Sequence, residues 1–106
     1  MAQLHISPEA KRDLHDIKEY ITVELDSPSA AVNTVSKIIK AIGRLIDFPE
    51  IGAPLASIVD LPNDYRYLVS GNYLVFYRHE ENKIIVVRVI NGRRDYMKIL
   101  FGEMPE

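Results

Sequence analysis

The sequence predicts an α+β fold, an N-terminal α-helical hairpin packed on a small antiparallel β-sheet. Three observations carry that prediction. The apolar period changes from about 3.6 residues in the first half to 2 in the second. Ser7-Pro8 and Ser27-Pro28 each read as a helix start, twenty residues apart. Tyr73–Arg78 and Ile84–Ile90 are dense in the β-branched and aromatic residues that favour strands.

Leu4-His5-Ile6 is a short apolar alternation, expected to form a first strand at an edge or as a parallel partner. In Ser7-Pro8-Glu9 the serine suits the N-cap, the proline the first turn, and the acid the positive end of the helix dipole. Ala10, Leu14, Ile17, Ile21 and Leu25 then recur on one stripe, so a first helix is expected over about residues 8–25. Asp26-Ser27-Pro28 repeats the start signal for a second helix over about 28–47. Its main stripe is Ala31, Val35, Ile38, Ile42 and Leu45, with Val32, Ile39 and Ile46 as a second row beside it. So wide a stripe implies contact on two sides. Phe48-Pro49 ends it, because the residue before proline is pushed out of helical geometry.

Residues 50–64 have no period and contain Gly52, Pro54 and Pro62. They read as an ordered connector across the sheet edge, with Leu55, Ile58, Val59 and Leu61 tucked inward and room for one short helical turn. From Tyr65 three successive antiparallel strands follow, turning at Ser70-Gly71-Asn72 and again in the loop His79–Lys83. Strict alternation sets Ile85, Val87 and Val89 on one face, and Ile84, Val86, Arg88 and Ile90 on the other. Asn91-Gly92 releases the last strand into Arg93-Arg94-Asp95-Tyr96, and Met97–Phe101 is expected to form a short helix or strand.

Composition narrows the function. The 106 residues suit a single domain, residues 1–106, and 47% hydrophobic content supplies a core. With no cysteine, disulfides, thiolate catalysis and cysteine-based zinc sites are excluded. His5, His15 and His79 are dispersed without metal-ligand spacing, so no metal and no cofactor is expected. The N-terminus lacks the basic head and apolar run of a signal peptide, and no apolar segment reaches the ~20 residues of a membrane span. A soluble cytoplasmic protein is the expectation. The net charge of −2 and isoelectric point near 5.9 disfavour a general phosphate-backbone binder.

The charged cluster after the last strand is the candidate site. Arg93, Arg94 and Tyr96, with Arg88 in the strand before them, are the residues expected to contact a macromolecular target. The plainer reading of Arg93–Tyr96 is a solvated strand exit with an internal Arg–Asp pair. For Arg88 it is an ion pair with a carboxylate such as Glu80 or Asp60. Tyr65, Tyr67, Tyr73 and Tyr77 are expected to pack with their hydroxyls at the surface, and Glu80-Glu81 to be a solvated turn.

Several stretches in order resemble the RelE/ParE toxins of type II toxin–antitoxin systems, with the ParE-like branch the nearer. They are Ser7-Pro8-Glu9-Ala10 with Asp13-Leu14 and Ile17-Tyr20-Ile21, then Phe48–Gly52, Asn72–Arg78, and Val87–Asp95. The likeness runs from about residue 4 to residue 101. It implies a growth inhibitor of the kind found in plasmid-stabilisation systems, neutralised by a cognate antitoxin in a hetero-oligomer. Ribonuclease members cut mRNA on the ribosome, using basic residues and often a late tyrosine or histidine. ParE-like members poison DNA gyrase. This chain has Tyr73 where the ribonucleases carry an arginine, and Leu100 where the late proton donor is expected. The expectation is therefore gyrase inhibition. A ribosome-dependent mRNA endonuclease and a degenerate member that only binds antitoxin are the alternatives. The resemblance also implies that an antitoxin segment lays apolar side chains on the toxin, and Val32, Ile39 and Ile46 are the expected contact.

Overall fold

The computed structural model describes residues 3–58 and 63–102. Strand β1 (Gln3–Ile6) leads into helix α1 (Pro8–Val23) and helix α2 (Pro28–Arg44). A two-residue strand β2 (Ala53–Pro54) and a 3-10 turn at Leu55–Ser57 follow. Then come β3 (Arg66–Ser70), β4 (Tyr73–Glu80), β5 (Lys83–Asn91) and a short helix α3 (Tyr96–Phe101). The sheet order is β1-β5-β4-β3-β2. Strands β2 to β5 pair antiparallel, and β1 joins the far edge parallel to β5, so the sheet is mixed.

Each helix stops short of its sequence estimate. Glu24 caps α1, and Asp26 takes a left-handed φ of 48° that no helix can continue through. Leu25 therefore leaves the apolar stripe and is exposed. The two start signals also differ in fact. Ser7 Oγ accepts from the Ala10 amide at 3.0 Å, whereas Ser27 makes no capping bond from its side chain. The strand turns are tighter than expected at one hairpin. Gly71 supplies a φ of 59° between β3 and β4, and β4 and β5 extend through Glu80 and Lys83 to leave only Glu81-Asn82 as the turn.

Alternation along β4 divides the core. Val75 and Tyr77 point into a cluster with Ala10, Ile38, Ile42, Leu45, Ile84, Val86 and Val89, under the two helices. Phe76 points the other way, into a cluster with Leu55 and Ile90 that α3 covers through Tyr96, Leu100 and Phe101. Helices thus cap both faces of the central strands. The strict parity expected for β5 fails because of a bulge. Phe76 faces Arg88 while Tyr77 faces Val86, which leaves Val87 as the extra residue. Val89 consequently shares the helix-side cluster with Ile84 and Val86, and Ile90 lies in the opposite one.

The connector is pinned from beneath. The buried Tyr77 hydroxyl accepts from the Gly52 amide at 3.0 Å and donates to the Pro49 carbonyl at 2.8 Å. Its hydroxyl is not at the surface as the sequence suggested. Leu55 is buried as expected, but Ile58 is exposed. The expected inward turn of Val59 and Leu61, the Asp60 partner and the tail beyond Gly102 lie outside the described residues.

Candidate functional site

The β5 bulge is also where α1 is fastened to the sheet. The Ser7 amide donates to the Val86 carbonyl at 2.9 Å, and its hydroxyl donates to the Val87 carbonyl at 2.7 Å. One helical turn on, Asp13 accepts from Arg88 Nε at 2.7 Å and Arg88 NH2 at 2.9 Å. The same carboxylate accepts from the Val89 amide at 2.9 Å. Both side chains are largely withdrawn from water, Asp13 at 12% and Arg88 at 24% exposure. The hydrogen bond to Asp13 pushes the Arg88 guanidinium above its already high ordinary pKa, and burial opposes this only in part. So the expected ion pair of Arg88 exists, but with Asp13. Glu80 is paired with Arg78 instead, and is half-buried rather than a free turn residue.

Beyond the bulge β5 runs out into a fixed turn. The Arg93 amide donates to Asn91 Oδ1 at 2.9 Å, the Arg94 amide to the Asn91 carbonyl at 3.0 Å, and the Gly92 amide to the Asn72 carbonyl at 2.9 Å. Asp95 does not form the internal pair. Its carboxylate accepts from the Lys98 amide at 3.2 Å as the N-cap of α3. Among the described residues neither Arg93 nor Arg94 has a carboxylate within ion-pair distance.

The two arginines form one wall of an open cleft of about 490 Å³. Asp13, Asp16, Ile17 and Tyr20 of α1 also line it, with Tyr73, Val89, Ile90 and Asn91 completing it. Two of the four expected contact residues, Arg93 and Arg94, thus line this cleft. Arg88 reaches it only through its partner Asp13. Tyr96 does not line it, since its ring lies on Phe76 at 5.4 Å between centroids. Sequence reasoning missed Asp13, Asp16 and Tyr20. Asp13 and Tyr20 stood in a quoted stretch, but nothing local reveals that a helix face 75 residues away closes on β5.

Tyr73 lines the cleft, and Leu100 packs into the Phe76 cluster. His15, Asp16 and Glu19 stand near one another on α1, all exposed, with His15 Nε2 3.4 Å from Glu19. On the opposite helix, Val32 and Ile39 are 53% and 52% exposed, so the internal core leaves this row uncovered. Ile46 is half-buried. No helix of the described residues is long and apolar enough to cross a membrane.

Comparison with known proteins places this geometry in context. Residues 4–96 match the family model of the ParE toxin of type II toxin–antitoxin systems, parDE. No curated protein matches the sequence significantly. Among solved structures, a chain of the chromosomal ParDE toxin–antitoxin system from P. aeruginosa superposes with a TM-score of 0.71. It is 22% identical, and the match covers 86% of this chain and 96% of that one.

Proposed function

The chain belongs to the ParE toxin family of type II toxin–antitoxin systems, and from that premise we propose that it stops growth by inhibiting DNA gyrase through a protein–protein contact centred on Arg93 and Arg94. The observation that carries this reading is a pair of guanidiniums with no carboxylate partner among the described residues, held on a hydrogen-bonded turn at the end of a core strand. Arginine and tyrosine are favoured anchors of protein interfaces, and a rigid presentation lowers the ordering cost of binding. General acid–base cleavage of RNA needs a base, an acid and phosphate-binding cations in one cleft. The net charge of −2, and Tyr73 and Leu100 in place of an arginine and a proton donor, argue against that chemistry.

The same reading assigns a cognate antitoxin to the exposed row of α2. An extended or helical partner segment laying apolar side chains on Val32 and Ile39, and on the half-buried Ile46 just past the helix, removes from water what the fold leaves exposed. Because it binds the folded toxin, it stabilises that state by mass action.

The deciding experiment is paired: gyrase supercoiling in vitro, and mRNA cleavage mapped by primer extension after induction. Inhibited supercoiling with intact mRNA is expected. Codon-phased cleavage with untouched gyrase overturns the proposal in favour of the ribonuclease reading.

A further inference from the structure

The cleft beside Arg93 and Arg94 has a more specific chemistry than a basic patch. Two guanidiniums stand on one wall without carboxylate partners among the described residues. Asp16 of α1 shares the lining, and Ile17, Tyr20 and Tyr73 give it apolar and aromatic surface. The other acid there, Asp13, is already neutralised by Arg88 and the Val89 amide. The cleft therefore combines two cations, an apolar and aromatic lining, and one acid that no cation neutralises among the described residues.

That pattern selects a ligand. A nucleic-acid strand brings a run of closely spaced negative charges, which the Asp16 carboxylate in the same lining disfavours. A peptide can offer one or two acids with an apolar side chain beside them. We propose that this cleft receives an extended protein segment that places one or two carboxylates on Arg93 and Arg94 and an adjacent aromatic or branched apolar side chain against Ile17, Tyr20 and Tyr73. The inference rests on the reading of Arg93 and Arg94 as the target contact, and names what the target must offer there. Charge-assisted pairing supplies orientation, and tyrosine supplies contact area with little side-chain entropy to lose.

The test uses the intact toxin, isotopically labelled and free of antitoxin. The probes are a capped peptide Glu-Asp-Phe-Glu-Leu, the same peptide with glutamine and asparagine in place of its acids, and a short single-stranded oligonucleotide. Amide shifts of Gly92, Arg93, Arg94 and Tyr73 are followed to millimolar probe concentration, where weak binding is still visible. The acidic peptide is expected to shift these signals, and the neutral peptide to bind about tenfold or more weaker. Arg93→Ala with Arg94→Ala should remove the shifts while the remaining spectrum stays folded. Asp16→Asn should tighten the acidic peptide by about twofold to threefold, since it lifts a like charge. Absence of shifts at millimolar peptide, or preference for the oligonucleotide, overturns the assignment. Toxicity of the double arginine variant is scored separately. A variant that stays toxic removes the target-contact reading itself, whereas a harmless variant whose parent ignores the peptide overturns only the ligand chemistry proposed here.

Discussion

Asp13 grips Arg88 with both carboxylate oxygens, at 2.7 and 2.9 Å, and holds the Val89 amide at 2.9 Å with one of them. This clamp joins the second turn of α1 to β5 at its bulge, a short way ahead of the turn that carries Arg93 and Arg94. Removing the carboxylate strands a largely buried cation and a backbone donor. Asp13→Ala is expected to cost about 2–3 kcal/mol in urea unfolding, after discounting for the remaining exposure of the arginine. Arg88→Lys should recover little, because an ammonium cannot make the two-pronged contact. A loss below about half a kcal/mol would contradict the clamp. The raised guanidinium pKa stabilises the fold below the arginine's ordinary value and is lost only above it. From the arginine side, stability is therefore level near neutral pH.

Ser7 and Ser27 look alike in sequence and should behave differently. Ser7→Ala removes both the cap to Ala10 and the tie to the Val87 carbonyl. A cost of about 1–2 kcal/mol is expected. Ser27 makes no side-chain cap, so Ser27→Ala should change stability by about 0.5 kcal/mol or less. Equal losses in chemical denaturation would show that the distinction is wrong.

Tyr77 and Gly52 form a second fixed point. An alanine Cβ at Gly52 would lie 2.6 Å from the Tyr67 carbonyl oxygen and 2.6 Å from the Tyr77 hydroxyl. Gly52→Ala should cost about 2 kcal/mol or more, since one of the obstacles is backbone. Tyr77→Phe orphans the Gly52 amide and the Pro49 carbonyl, for about 1–3 kcal/mol.

Burial pushes the Tyr77 phenol above its ordinary 10.0, with the Gly52 hydrogen bond opposing in part. The folded chain thus keeps this proton where the unfolded chain has begun to lose it. The contribution is complete below pH 10 and is lost as pH rises from there through the folded value. Melting temperatures measured upward from pH 9 should fall, and the fall should be shallower in Tyr77→Phe.

On α2, Val32→Asp and Ile39→Asp alter side chains that are about half exposed. Each is expected to move the melting temperature of the isolated toxin only slightly, with about 0.5 kcal/mol or less lost. Affinity for the antitoxin should drop at least tenfold by calorimetry, and the melting-temperature gain on adding it should shrink. Unimpaired binding in both variants would remove this face from the antitoxin contact.

Arg93→Ala with Arg94→Ala should abolish growth inhibition on induction and gyrase inhibition in vitro. The backbone bonds of the turn do not use either side chain, so fold and antitoxin affinity should persist. Tyr96→Phe should retain toxicity, because the ring is engaged with Phe76 within the chain.

The sequence by itself determined what is local. Proline set the starts of both helices and serine capped the first, the 3.6-residue stripe chose Ala31, Ile38, Ile42 and Leu45 for the core, and Gly71 set the β3–β4 turn. The exposed row at Val32 and Ile39 was also legible, because a stripe too wide for one interface leaves part of itself outside. What only the tertiary structure decided depends on contacts distant along the chain. Period-2 counting cannot see the bulge at Val87, since the extra residue answers to Ser7, 80 positions earlier, and its neighbours Arg88 and Val89 answer to Asp13. The partner of Arg88 and the buried hydroxyl of Tyr77 follow in the same way. Each is settled by which carboxylate, amide or carbonyl the fold brings within about 3 Å, and hydrogen bonds of that reach carry no trace in local residue spacing.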